Sequence, residues 1–406
     1  MHYQVVVIGG GAAGFFGAIV LAEALPGIRI LIMEQGKNVL EKVRISGGGR
    51  CNVTNGCEDP SELVNFYPRG QKELLGPFYH FGPSQMKAWL TSHGVQLKEE
   101  DDGRVFPASN TSETIIDCFT RYSRQYQIDL VTSSKVTGIT HHNGDPYPFQ
   151  IHTKQGVMQS QCLLVTPGSQ ASVWKMLEQM GHRIVPPVPS LFTFQIRDPR
   201  IRSLAGIQVP HARVSIRDTN LEAEGPLLIT HWGVSGPAIL KLSSWGARIL
   251  HERRYRFELQ IDWNPAWNLD EVRKMAINES KRQVKNTGSP PVPRRLWHAL
   301  LQEMPVLERN WNTCTPSDLQ QILDSITTST WQVTGKATFK EEFVTSGGVD
   351  LKEVDFKTFR SRKVPGLYLA GEVLNIDALT GGFNFQAAWT GAYLAAQGMA
   401  SELAAY

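Results

Sequence analysis

Cysteine is scarce and poorly placed for chemistry that needs it in pairs. The five cysteines of this 406-residue chain (Cys51, Cys57, Cys118, Cys162 and Cys314) form no C-x-x-C pair and have no companion histidines at zinc spacing. That argues against a zinc knuckle or a dithiol motif, and no metal site is expected. An odd, scattered set suits a reducing cytoplasm. No apolar run reaches about 18 residues, so no membrane span is expected, and Met1 leads straight into a strand-like run without a basic leader or cleavage site. Strong net charge is missing too: the total is +3, with 19% charged and 41% hydrophobic residues, as in an ordinary globular protein with little disorder. A chain this long should divide into two or three domains.

The small net charge is unevenly spread. Residues 181–310 hold 19 Lys/Arg against 12 Asp/Glu. One reading is a solvated surface with a chance excess; the other is attraction to a polyanion, RNA included.

What is present begins with "VVVIGGGAAG". An apolar β-branched run, Val5 to Ile8, enters Gly9-x-Gly11-x-x-Gly14, and an alanine-rich helix follows from about Ala12 to Ala24. The glycines permit a sharp turn and close backbone approach to a pyrophosphate at the helix N-terminus. A second apolar strand, "IRILIME", ends in Glu34, 20 residues after Gly14, where an acid accepts the ribose hydroxyls of an adenosine. A glycine turn in an unrelated α/β protein leaves that acid unexplained.

The far end of the chain selects FAD over NAD. "VPGLYLAGEVLNIDALTGGFNFQAAWTGAYLAA", residues 364–396, reads as a strand, a Gly371-Glu372 pair, a loop and a helix from about Gly382. Late Gly-Glu pairs in two-dinucleotide-domain flavoproteins put an acid near the ribityl and phosphate groups. Free N–H groups of Gly382, Phe383 and Asn384 would stabilise the negative charge of a reduced flavin. "LLVTPGS" (163–169) reads as the strand returning to the cofactor. Ahead of it the short alternating strands of 131–168 read as a β-meander, with Val136 against the adenine.

The middle changes character. "SLFTFQI", "ARVSIRD", "EAEGPLLITHWG" and "YRFELQIDW" read as antiparallel strands, and "NLDEVRKMAINESKRQVKN", "VPRRLWHALLQEM" and "PSDLQQILDSIT" as helices. The expected fold class is α/β: a Rossmann-like FAD-binding domain of the two-dinucleotide-domain type, with an inserted antiparallel β subdomain and a small helical one. FAD-binding parts at 1–190 and 346–406 flank a β subdomain at 191–265 and 325–345, which carries the helices of 266–324. No second G-x-G-x-x-G occurs, so a nicotinamide reductant, NADPH or NADH, would dock transiently over the flavin in the cleft between domains, and the insertion is expected to form a lid there.

From end to end the chain resembles the BaiN/RdsA-type flavoproteins, also called the YhiN-like or aminoacetone-oxidase-like family of NAD(P)/FAD-dependent oxidoreductases. The resemblance rests on "KVRISGGGRCNVTN" (42–55), "DGRVFPAS" (102–109), "THWGVSGPAILKLSSWGA" (230–247), "TSGGVDLKEV" (345–354) and "GEVLNIDALTGGFNFQAAWTGAYLA" (371–395). One departure is the short connection after Gly168, which relatives extend with a glycine-rich loop. The resemblance implies that "RISGGGRCNVTN" runs along the flavin and pyrophosphate. Its bare glycine N–H groups, with Lys42, Arg44 and Arg50, make it a cradle for anionic oxygens in its own right. The residues expected to hold FAD are thus Gly9, Gly11, Ala12, Ala13, Gly14, Glu34, Gln35, Lys42, Ser46, Gly47, Gly48, Gly49, Arg50, Cys51, Asn52, Val136, Thr166, Gly168, Gly371, Glu372, Gly381, Gly382, Phe383, Asn384 and Phe385.

Two candidates for chemistry keep double readings. Cys51 is either a proton donor or redox partner beside the flavin, or a small side chain packed there. His231 is either a proton donor during double-bond reduction or a cap on the helix after "GVSGP". Trp263, Trp267, Trp297, Trp311 and Trp331 are either core or, beside Arg254, Arg294 and Arg295, platforms for unpaired bases. Family members have been linked to bile-acid double-bond reduction, aminoacetone oxidation and dihydrouridine formation in ribosomal RNA. The expected activity is hydride transfer through flavin N5 in the cytoplasm. The basic 181–310 region favours ribosomal RNA as substrate; the alternatives are a small-molecule oxidase or reductase, and a flavin-bearing sensor without turnover.

Overall fold

The computed structural model describes residues 1–337 and 344–405, and they gather into two compact units. One is discontinuous, Met1–Pro187 with Thr345–Tyr406; the other, Val188–Val344, is a continuous stretch between its parts. Residues 338–343, part of the stretch 325–345 assigned above to the inserted sheet, lie outside the described residues.

The first unit is an α/β structure of the Rossmann-like type. Strand His2–Ile8 lies parallel to Ile30–Met33 on one side and Gly156–Val165 on the other, with Ile8 opposite both Met33 and Val165. Asp129–Val131 extends the sheet past Ile30–Met33, and Leu367–Leu369, from the far end of the chain, pairs with Gly156–Val165. A parallel sheet covered on both faces has no wet side, so its strands are unbroken aliphatic runs rather than alternating ones. Val5, Val6 and Val7 are all fully buried, each contributing on the order of 1.5–3 kcal/mol of burial free energy. Helices Ala12–Ala24 and Phe383–Leu403 are buried over much of their circumference. Small residues let them close up: a Cβ placed on Gly17 would lie 3.4 Å from that of Ala392.

Strand Gly156–Val165 belongs to two ladders at once. Its first half pairs antiparallel with Phe149–Thr153, which pairs in turn with Val136–His141; its second half joins the parallel sheet. The meander is therefore an outgrowth of a central strand, and it carries Val136 to the edge of that sheet.

The inserted unit is a closed barrel. Its strands run in the order Phe194–Ile196, Gly233–Ser235, Glu222–Ile229, Gln208–Ile216, Phe257–Asp262, Ser329–Lys336. Period-two burial is visible in Phe257–Asp262 and Ser329–Lys336, the pattern of strands with one face toward a core. Helices Leu269–Asn278, Arg294–Leu301 and Pro316–Thr327 occupy the segment before the last strand. The first is capped by Asn268 but stops at Asn278, short of the basic residues expected at its end. Both carboxylate oxygens of Glu279 accept the N–H of Gly288, turning the chain back there.

Trp263, Trp267, Trp297, Trp311 and Trp331 are core, which overturns their reading as base-stacking platforms. Trp263, Trp297, Trp311 and Trp331 are at most 1% exposed and Trp267 is 9% exposed. The fully buried indoles satisfy their N–H groups internally: Trp263 and Trp331 donate to the Ser329 hydroxyl, Trp297 to the Val284 carbonyl and Trp311 to the Thr287 hydroxyl. A buried indole with its donor satisfied is a packing element.

Candidate functional site

The carboxyl ends of the parallel strands in the first unit converge on the glycine turn. Gly9 has φ +110°, and a Cβ there would lie 2.3 Å from the Thr166 carbonyl oxygen; one on Gly14 would lie 2.0 Å from the carbonyl oxygen of Gly9. The Thr166 hydroxyl donates to the carbonyls of Ile8 and Gly9, at 3.1 and 3.2 Å, stitching the two strand ends together. Gly11 is different: nothing lies within 4 Å of its would-be Cβ. Gly9 and Gly14 thus permit close packing, while Gly11 leaves room for a ligand at the N-terminus of the helix that begins at Ala12.

Glu34 ends the next strand with its carboxylate held in place. One oxygen accepts the N–H of Gly10 at 2.8 Å and the other that of Gly36 at 2.7 Å. Gly9, Glu34, Gln35 and Val136 line a single depression together with Lys135 and Gln170. Four of the sequence candidates, from two distant segments, thereby meet where an acid and an apolar wall suit a nucleoside.

The glycine-rich stretch 42–55 begins as helix and then leaves it. Ser46 is extended, Gly47, Gly48 and Gly49 have φ of +57°, +69° and +83°, and Cys51 follows at +61°. A Cβ on Gly47 would meet the Phe106 ring and Asn52, whereas nothing lies within 4 Å of one on Gly48 or Gly49. Only two of the three glycines, then, present an open backbone. The positive charge expected here is largely answered within the protein. Lys42 pairs with Glu372, Arg44 with Glu113, and Arg50 with Glu100 at 2.6 Å while stacking 3.9 Å from the Phe106 ring centre. Any anion-holding capacity of this loop lies mainly in its N–H groups. Gly168, with φ +68°, closes on the Lys42–Glu372 pair: its Cβ would lie 3.4 Å from the Glu372 carboxylate. Next to Glu372, Gly371 approaches Ala13, so both ends of the chain frame one cradle.

Cys51 is fully buried, and burial pushes its thiol up to about 12, only partly opposed by a hydrogen bond with Ser46. A protonated, enclosed thiol has the properties of a packing residue. Cys57 is half-buried, and all five cysteines are free thiols.

Residues 52–55 clamp the start of the C-terminal helix. With its amide oriented to satisfy its neighbours, Asn52 donates to the carbonyls of Val105 and Thr54 and accepts the N–H of Gly382 at 2.9 Å. The Thr54 hydroxyl bonds the Gln386 amide at 2.6 Å, Asn55 donates to the Gly381 carbonyl, and the Trp389 indole donates to the Val53 carbonyl. A Cβ on Gly382 would lie 2.3 Å from the Thr54 carbonyl oxygen. This corrects the expectation that Gly382 offers a free N–H; Phe383 and Asn384 form the first turn of the helix that follows. The Asn384 side chain is itself tied to the backbone of Ala378, and Phe385 stacks on Trp389.

Several residues of this clamp were not among the sequence candidates. Tyr67, fully buried, donates to the Phe383 carbonyl at 2.6 Å, and Arg69 grips the fully buried Asp377 through both carboxylate oxygens. The only sequence signal for the second pair is an arginine in "YPRG" and an aspartate in an otherwise apolar "NIDAL".

His231 lies in the barrel unit, exposed on the turn between strands Glu222–Ile229 and Gly233–Ser235, beside Trp232, which is 57% exposed. Helix Pro237–Trp245 is capped by Gly236 without a side-chain bond, so His231 does not serve as its cap.

The family model described as "HI0933-like protein Rossmann domain" matches residues 3–398. The chain is 29% identical to a ribosomal RNA dihydrouridine synthase of Escherichia coli, with 98% of each chain covered. It is 26% identical to a 3-dehydro-bile acid delta(4,6)-reductase of Clostridium scindens over 97% of this chain and 98% of the other. A solved 3-ketosteroid delta1-dehydrogenase from Sterolibacterium denitrificans shares the fold, with TM-score 0.52 and 11% identity over 99% of this chain and 100% of that one.

Proposed function

The chain belongs to the HI0933-like Rossmann family and is an FAD-dependent oxidoreductase; from that premise we propose that it reduces the carbon–carbon double bond of uridine in ribosomal RNA, drawing electrons from NADH or NADPH. The observation that carries the substrate is the likeness to the Escherichia coli synthase along essentially the whole of both chains. A ribosomal substrate puts the protein in the cytoplasm, and among the described residues no helix is long and apolar enough to cross a membrane.

The residues present fit FAD. The N–H groups of Gly11, Ala12 and Ala13 suit the pyrophosphate, the Glu34 carboxylate the adenosine ribose, and the Val136 wall the adenine. Gly48, Gly49, Phe383 and Asn384 would supply backbone donors to the flavin, whose reduced ring carries negative charge. When bound, FAD supplies the hydride that the double bond accepts. A proton must arrive at the other carbon. Cys51 is a poor source, being enclosed and very weakly acidic; of the two candidates, His231, which is exposed, is the one proposed as donor.

The test is anaerobic. Purified yellow protein is mixed with NADPH or NADH, and flavin bleaching near 450 nm is followed with and without deproteinised ribosomal RNA lacking dihydrouridine. Recovery of colour with dihydrouridine formed supports the reading. Bleaching reversed only by oxygen or a small enone removes it in favour of a small-molecule reductase, the reading favoured by the likeness to the bile-acid enzyme. Bound FAD that neither nucleotide reduces would contradict nicotinamide as donor.

A further inference from the structure

The barrel unit contains a concave feature of its own. Helix Arg294–Leu301 and the turn at Ser203–Leu204 border a depression of about 540 Å³, within the size range of small-ligand pockets. Its lining combines Arg294, Arg295, His298 and Gln302 with the apolar Leu204 and Leu307. Both arginines are exposed, and their protein contacts are to backbone carbonyls: Arg294 to Thr287 and Arg295 to Ser203. Among the described residues neither faces a carboxylate. Their neighbours in the same helical segment behave otherwise, Lys285 pairing with Glu308 and Arg309 with Asp318. Two adjacent guanidinium groups without a carboxylate partner form a surface whose complement carries negative charge.

The segment that borders this groove also hydrogen-bonds the turn carrying Trp232, an exposed aromatic of the unit. At its start the N–H of Ile196 donates to the Trp232 carbonyl, and at its end the N–H of Gly206 donates to that of Ile229. The segment 197–207 thus links Arg295, through Ser203, to the turn holding His231 and Trp232. Basic groups and an exposed indole on one unit are the elements that hold a single-stranded nucleic acid, with phosphates on the arginines and a base on the ring.

We propose that the groove between Ser203–Leu204 and Arg294–Gln302 is a phosphodiester-binding site through which the barrel unit holds single-stranded RNA. The proposal rests on the RNA reading above and adds to it where the strand lies. Both guanidinium groups engage phosphate oxygens, Leu204 and Leu307 lie under a sugar or base, and the strand continues toward Trp232.

The experiment measures binding of a fluorescein-labelled oligouridylate of about twelve nucleotides by anisotropy across a salt series, with dihydrouridine formation in ribosomal RNA scored in parallel. The proteins are the wild-type holoenzyme, the double variant Arg294→Gln/Arg295→Gln, and Gln302→Glu. The last removes no arginine contact and sets a carboxylate in the groove. Melting temperature and FAD content verify the fold. The expected result is at least a tenfold weaker affinity for both variants, and for the double variant a slope of log affinity against log salt shallower by about 1.4, as for two lost phosphate contacts on a single strand. Wild-type modification of RNA with both variants binding as tightly as wild type overturns the groove and leaves the RNA reading intact. Wild-type protein that neither binds nor modifies RNA overturns both.

Discussion

The carboxamide of Asn52 accepts the backbone N–H of Gly382, so a residue of the N-terminal glycine loop caps the C-terminal helix. Its two N–H groups go to carbonyls, and an acid of the same shape cannot reproduce them. Asn52→Ala and Asn52→Asp should both lower unfolding free energy by about 2–4 kcal/mol, from buried groups left unpaired, and both should release FAD during purification. Urea titration and flavin-to-protein absorbance ratios check this; an Asp variant as stable as wild type would show that the carbonyl contacts do not matter.

Gly11 and Gly14 separate two functions of one turn. Gly14→Ala drives a methyl group into the Gly9 carbonyl and should give insoluble protein or a large fall in melting temperature. Gly11→Ala meets nothing in the protein and should melt within a few degrees of wild type, yet bind FAD at least tenfold more weakly. Thermal melts and FAD titration of the apoprotein distinguish them.

Removing the Glu34 carboxylate leaves the N–H groups of Gly10 and Gly36 without their acceptor. Glu34→Ala should weaken FAD affinity by roughly 10- to 100-fold, about 1.4–2.8 kcal/mol, and Glu34→Gln, which keeps one acceptor, by less. Equal affinity for all three proteins, measured by flavin fluorescence quenching, would exclude Glu34 from the adenosine site.

Burial raises Cys51 from an ordinary thiol value to about 12, so the folded protein binds this proton more tightly than the unfolded chain. The resulting stability is fully present below pH 9 and is lost as pH climbs toward 12, at up to about 1.4 kcal/mol per pH unit. Wild type should lose stability more steeply than Cys51→Ala across that window. In native protein at pH 8, iodoacetamide should label Cys57 and leave Cys51 untouched, as peptide mass spectrometry will show.

His231→Asn should lower turnover by about 10²- to 10⁴-fold, the range for a lost general acid, with FAD content and the rate of flavin bleaching by nicotinamide unchanged. A wild-type turnover rate, or a pH profile that does not change, would remove His231 from the mechanism.

Local rules made part of this architecture readable from the chain. The Gly9–Gly14 turn and the acid at Glu34 follow from spacing, and the unbroken aliphatic strands follow from burial on both faces. What escaped was pairing at a distance. Lys42 and Glu372 are 330 residues apart, and nothing local in "KVRISGGGR" indicates that its charges already have carboxylate partners. Arg69 and Asp377 gave no periodic signal at all. The helix expected through residue 286 ended at Asn278 because Glu279 turns the chain, a tertiary contact overriding favourable local composition. The tryptophans were ambiguous since charged neighbours in sequence say little about which side of a helix faces inward.

The order of the two units along the chain gives them different histories. Residues 188–344 are contiguous, so the barrel has all its strands as soon as that stretch has emerged from the ribosome. The earlier-made Rossmann sheet must wait, with the Leu163–Val165 end of strand Gly156–Val165 unpaired on one side, until Leu367–Leu369 is synthesised. Asn52 waits longer still for Gly382. The cofactor cradle is therefore among the first parts of this protein to be translated and among the last to be finished.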